Sequence, residues 1–216
     1  DINNPFYLIE RSKLIRNSIT LLKNNGKVVP FRNLESYKVA SVAIGTGKEE
    51  EFSQTLKNYV QTKDFYLDRE AVVLPDDPIM KELTDYNTLI VSIHNTSQWP
   101  GRNYGIYPQT VSFFQTLEFN GNLVLVVFGN PYSLMRLGSL DKFNSIILAY
   151  EDNDETRFQT AQGIFGAFDL KGRLPVGLAP EFNIFQGIKS PELKRLSYGI
   201  PEEAGVNSQK LKKIDT

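Results

Sequence analysis

Three short runs in this chain are apolar almost from end to end: "NTLIVSIHN" (87–95), "NLVLVVFG" (122–129) and "NSIILAY" (144–150). A fourth, "KVASVAIG" (38–45), alternates, closes on glycine and also reads as a buried strand. A strand with one wet face alternates apolar and polar side chains, whereas one that is apolar throughout needs cover on both faces. The segments between these runs carry that cover. "EEEFSQTLKNYVQ" (49–61) places Phe52, Leu56 and Tyr59 or Val60 on one side of a helix, and "DDPIMKELTDY" (76–86) has the acids and Pro78 that suit a first turn. "QTVSFFQTLEF" (109–119), "PYSLMRLGSL" (131–140) and "DETRFQTAQGIFGAF" (154–168) supply further helices, and "DFYL" (64–67) a short strand. Strand and helix thus alternate about five times. The pattern predicts an α/β protein, a three-layer α/β/α sandwich around a mostly parallel sheet of about five or six strands, with right-handed crossovers. Ahead of it, Leu8, Ile9, Ile15 and Ile19 sit at near-helical spacing and predict a helix running into "SITLLKN" (18–24).

After "GRLPVGL" (172–178) the texture changes. Prolines interrupt the remainder, which reads as an extended tail or linker with a short final helix from Asn207 or Ser208. A boundary near residue 180 is expected, dividing the chain into 1–180 and 181–216. With 24 basic and 25 acidic side chains there is no basic field for nucleic acid and no polybasic run for a membrane surface. No apolar stretch is long enough for a spanning helix, and the opening residues lack the plan of a secretory signal. The absence of cysteine excludes disulfides and thiol chemistry, and a single histidine, His94, excludes a multi-histidine metal site within this chain. Neither a metal nor a cofactor is expected.

Ligands of open α/β sheets sit beyond the carboxyl ends of the strands, where four loops qualify. "GTGKEE" (45–50) has two glycines and a lysine before a helix, but it lacks the spacing of a phosphate loop, and Glu49, Glu50 and Glu51 oppose a phosphate. "HNTSQWPGRNYGIYP" (94–108) holds the only His and the only Trp, with Arg102 and several tyrosines. Aromatic faces stack on sugar rings and a guanidinium grips carboxylates or hydroxyls, so His94, Asn95, Trp99, Arg102 and Tyr104 are the candidate substrate-binding residues. The same aromatics would equally pack the loop onto a neighbouring domain, and both readings stand. No Asp or Glu occurs from Tyr86 to Leu117, so this stretch supplies no carboxylate acid or nucleophile. "FGNPYS" (128–133) has no ionisable group suited to proton transfer and reads as a turn. "YEDNDE" (150–155) has the acids for a divalent cation but reads better as the acidic start of the following helix. Ser139 and Lys142 match S-x-x-K by spacing only, and no G-x-S-x-G is present.

Four ordered stretches carry a resemblance: "SITLLKNNGKVVPF" (18–31), "VVFGNPYSL" (126–134), "AYEDNDETRFQTAQGIFGAF" (149–168) and "GRLPV" (172–176). Together they resemble the C-terminal α/β sandwich domain, flavodoxin-like in architecture, of family 3 glycoside hydrolases. In that family the nucleophilic Asp lies on a preceding barrel domain, which nothing here matches. In its β-glucosidase-like members the sandwich adds a Glu acid/base in a loop where this chain has "SQWPGRNYGIYP", with neither Glu nor Asp. Retaining hydrolysis needs two carboxyl groups or a substitute acid. The acid-free loop is similar instead to the β-N-acetylglucosaminidase branch, whose His-Asp pair belongs to the barrel. The tail "LSYGIPEEAGVNSQKLKKID" (196–215) is similar to the entry of serine β-lactamase-like domains.

The resemblance implies a non-catalytic second domain of a bacterial, exported β-N-acetylglucosaminidase-type glycosidase. Its partners would be an N-terminal barrel and a C-terminal β-lactamase-like domain of the same polypeptide, and a glycan or peptidoglycan fragment. No catalytic residue is expected in this chain. The alternative is a stand-alone carbohydrate- or small-ligand-binding flavodoxin-like module.

Overall fold

The computed structural model describes residues 5–211 and Lys213. Helix α1 (Pro5–Ser18) leads into strand β1 (Thr20–Asn24), followed by β2 (Val39–Ile44), α2 (Glu51–Lys57), β3 (Thr62–Leu67), α3 (Pro78–Leu83) and β4 (Thr88–Ile93). Then come α4 (Pro108–Thr116), β5 (Asn122–Val127), β6 (Ser145–Leu148), α5 (Asp154–Ile164) and a last turn of helix, α6 (Ser208–Leu211). The six strands form one sheet in the order β1-β6-β5-β4-β2-β3. β2 to β6 run parallel, and β1 lies antiparallel on β6. Leaving β1 aside, this is the flavodoxin-like order, with its switch point between β2 and β4.

The central strands are buried along their whole length because two apolar layers meet them. On one face Val42, Val91, Leu125 and Ile146 pack beneath Leu83 of α3 and Phe113 and Phe114 of α4. On the other, Ile90, Val124, Val126 and Ile147 pack beneath Phe52 and Leu56 of α2 and Ala161 and Ile164 of α5. This is the three-layer sandwich that the patterning predicts.

Two expectations need correction. "SITLLKN" does not continue the first helix. The helix ends at Ser18 and the residues from Thr20 form β1, with Leu21 buried on the α5 side and Leu22 on the opposite face. The period changes from 3.6 to 2 after Ser18 because β1 covers the edge of β6, which would otherwise expose its backbone. "PYSLMRLGSL" forms only a 3₁₀ turn over Pro131–Arg136.

Helix α5 is buried on nearly every side, polar residues included. Gln159, Thr160 and Gln162 are sealed because α1 and the tail lie over it. Arg16 donates to Gln159 at 2.7 Å and the Tyr198 amide donates to Gln162 at 2.6 Å. The extended tail is tied down along its course. Ile188 N–H donates to the Leu21 carbonyl and Leu193 N–H to that of Gly166. The Arg195 guanidinium donates to the carbonyls of Phe31, Phe165 and Arg32 at 2.7–2.8 Å.

Candidate functional site

The carboxyl ends of β2 and β4 form the crevice where this architecture holds its ligands. Here that crevice is filled by the chain's own groups. The backbone of Gly45, at φ +93, passes so close to β4 that a Cβ would lie 2.4 Å from the His94 carbonyl oxygen. Asn95, itself left-handed at φ 52, donates from its side chain to the Gly45 carbonyl at 2.6 Å. Glu50 caps α2, accepting from the amides of Phe52 at 2.7 Å and Ser53 at 3.0 Å. A phosphate in a nucleotide-binding relative of this fold would use such amides. In this chain a carboxylate already holds them.

His94 lies beneath this plug, 2% exposed and stacked on Phe128 with ring centroids 4.8 Å apart. Its Nδ1 is 3.2 Å from Asp152 Oδ1, its Nε2 is 2.9 Å from Ser92 Oγ, and Glu50 Oε1 stands 3.9 Å from Nε2. Arg157 closes the cluster, 2.7 Å from Asp152 and 3.7 Å from Glu50. Ser92, His94 and Asp152 are linked in the sequence of an acyl-transfer triad, yet Ser92 is fully buried and no substrate carbonyl reaches its Oγ. The cluster is therefore a strut, not a nucleophilic site. It joins the ends of β4 and β6 and the starts of α2 and α5. Burial alone would raise the Asp152 carboxyl, but hydrogen bonds from His94, Arg157 and the Asn95 amide outweigh it and hold the pKa down at about 2.

"YEDNDE" divides its labour accordingly. Asp152 turns inward, Asn153 caps α5 through the Thr156 amide at 2.9 Å, and Asp154 and Glu155 occupy the first turn. Nothing in the sequence marks Asp152 as the partner of His94, 58 residues away.

Above the strut, the rest of the 94–108 loop is braced against the Gly129-Asn130-Pro131 turn. Thr96 Oγ1 donates to the Phe128 carbonyl at 2.9 Å. Gly129 stands at φ +152, where a Cβ would fall 1.7 Å from that same Oγ1. Asn130 donates to Gln98 at 3.0 Å and caps its own turn through the Tyr132 amide. The Tyr104 and Tyr132 rings stack at 5.8 Å, and the Arg136 guanidinium lies 6.0 Å over Tyr104. Within the loop the Trp99 carbonyl accepts from the amides of Arg102 and Tyr104, and Asn103, Tyr104 and Gly105 all adopt positive φ. The result is a tightly folded knuckle that leaves Trp99 70% exposed.

The five predicted binding residues therefore occupy two levels. His94 and Asn95 form the base of the loop, inside the strut. Trp99, Arg102 and Tyr104 form its outer turn. Tyr132 and Arg136, which face this turn from the next loop, carry no sequence signal beyond being aromatic and basic after a strand end. Ser139 and Lys142 spend their bonds separately: Ser139 donates to Asp141, and Lys142 donates to the Phe114 and Leu117 carbonyls at the end of α4. Among the described residues no group of three or more His, Asp or Glu converges as metal ligands would. No described helix is long and apolar enough to cross a membrane.

No sequence-family model matches the chain. No curated protein matches it either. Solved structures do. A fungal multi-domain family 3 β-N-acetylglucosaminidase aligns over 76% of this chain and 18% of its own, at 20% identity and a TM-score of 0.59. A family 3 β-N-acetylglucosaminidase from Paenibacillus sp. aligns over 78% and 32%, at 15% identity and a TM-score of 0.59. A β-glucosidase from Listeria innocua aligns over 80% and 27%, at 16% identity and a TM-score of 0.57. The chain thus spans a third or less of the multidomain chains it matches, and what it shares with them is the fold of one region.

Proposed function

We propose that this chain is an accessory sandwich domain of a family 3 glycosidase-type protein, of the β-N-acetylglucosaminidase kind. In this reading it buttresses a preceding catalytic barrel and lines the glycan cleft with its 94–108 loop. The observation that carries the reading is the rigid knuckle: a loop at the ligand-binding edge of the sheet, braced from below by the His94 strut and from the side by the 129–136 turn, presenting Trp99 outward with no carboxyl group of its own. Such a loop orients sugar and leaves proton transfer to another domain. The division into a sandwich (1–180) and a lead (181–216) to a β-lactamase-like domain, and export to a bacterial envelope, belong to the same proposal. The exposed Trp99 also favours a second reading, a stand-alone carbohydrate-binding module.

Incubation of the purified chain with an aryl N-acetyl-β-glucosaminide tests the first reading and should give no turnover. Robust turnover abolished by one substitution within this chain would overturn it. Titration with chitotetraose separates the two readings. Millimolar or weaker binding suits a domain whose cleft another domain completes, whereas micromolar binding by the isolated chain suits an independent module.

A further inference from the structure

We infer that the outer face of this site takes a saccharide carrying a carboxylate, held by Arg102 and Arg136; this rests on the reading that the 94–108 loop meets glycan. The charge distribution is the ground for it. From Asn87 to Leu140 the chain has two basic residues, Arg102 and Arg136, and one acid, Glu118. Glu118 shares a hollow with Thr84 and Tyr86 at the amino-terminal edge of the sheet, the end opposite the loop. Of the acids beneath the loop, Glu50 and Asp152 are committed to amides, His94 and Arg157. Glu181 stands to the side, in a hollow with Leu134, Met135 and Phe182. Among the described residues neither guanidinium is paired with a carboxylate, and Arg136 is held only over the Tyr104 ring.

Arg136 lies over the Tyr104 ring, which stacks on Tyr132, and Arg102 is two residues before Tyr104 in the same knuckle; Trp99 is 70% and Tyr132 38% exposed. An aromatic face receives the C–H face of a pyranose, and a guanidinium fork matches a carboxylate in the same plane. A loop already braced by Gly129, Asn130 and Tyr132 loses little freedom when it binds. The turn at 129–131 thereby acquires a role in recognition. It carries Tyr132 and Arg136 to the Tyr104 ring of the knuckle to which Trp99 and Arg102 belong.

Nuclear magnetic resonance titration of the whole chain with tetragalacturonate, chitotetraose and tetraglutamate tests this. Tetragalacturonate should bind about tenfold more tightly than chitotetraose, with the advantage shrinking in high salt. Arg102→Gln and Arg136→Gln should each weaken tetragalacturonate about three- to tenfold and chitotetraose by less, so that the advantage of the acidic sugar shrinks, while Trp99→Ala weakens both alike. Equal affinity for the neutral and acidic sugars would overturn the carboxylate inference and leave the glycan-facing loop standing. Binding of neither sugar would overturn the carboxylate inference, while the accessory-domain reading, which expects weak binding by the isolated chain, would stand. Tetraglutamate bound as tightly as tetragalacturonate, and unaffected by Trp99→Ala, would overturn the inference in favour of an acidic protein partner.

Discussion

Asp152→Asn removes the charge at the centre of the strut while keeping its shape. In the native protein this carboxylate accepts from His94 Nδ1 at 3.2 Å, from Arg157 Nε at 2.7 Å and from the Asn95 amide. Its pKa falls from an ordinary 3.8 to about 2. A shift of roughly two units corresponds to about 2 kcal/mol of folding stability. Because the folded pKa is depressed, that stability is fully present above about pH 4 and is lost as the pH falls towards 2. The substitution also leaves part of Arg157 and His94 without an acceptor, so the total cost at neutral pH is about 2–4 kcal/mol. For a chain of this size the corresponding fall in melting temperature is roughly 5–15 °C. Urea unfolding of both proteins at a series of pH values measures the quantity directly. The native chain should lose stability between pH 4 and 2, and the variant should lack that portion of the slope. A variant as stable as the native protein at pH 7, or with an identical acid limb, would refute the assignment of Asp152 as the keystone.

Gly129→Ala should cost about 2–4 kcal/mol, from the positive φ and from displacing Thr96 off the Phe128 carbonyl. Adding Thr96→Gly removes the clashing side chain, so the pair should be coupled in a double-mutant cycle, and simple additivity would contradict the steric account. Glu50→Ala removes the cap of α2 and should cost about 1–2 kcal/mol in chemical denaturation. Arg195→Ala releases three backbone carbonyls, among them the Phe165 carbonyl at the end of α5, and should cost about 2–3 kcal/mol. Limited proteolysis should then cut first between residues 190 and 205, and an unchanged cleavage pattern would count against the clamp.

The sheet was legible because its strands cannot hide what they are. Runs such as "LVLVVF" have no polar side to give to water, so they demand two helical layers, and the glycines and prolines that follow mark where each strand ends. The loop at 94–108 was legible as a candidate for the same local reason: it concentrates Trp99, Arg102 and Tyr104 and excludes acids. Other features depended on residues far apart in the chain. "SITLLKN" follows residues at helical spacing and reads as their continuation, and the open edge of β6 makes it a strand from Thr20. Helix α5 shows little amphipathic pattern because α1 and the tail bury its outer face too, so Gln159 and Gln162 are interior residues despite their polarity. Apolar periodicity is a local property of the chain, and the sequence by itself determined the layers from it. Hydrogen bonds between strand ends are not local. Only the tertiary structure decided that His94 answers to Asp152, that Glu50 occupies the anion site of α2, and that the Gly129 turn is the wall against which the loop stands.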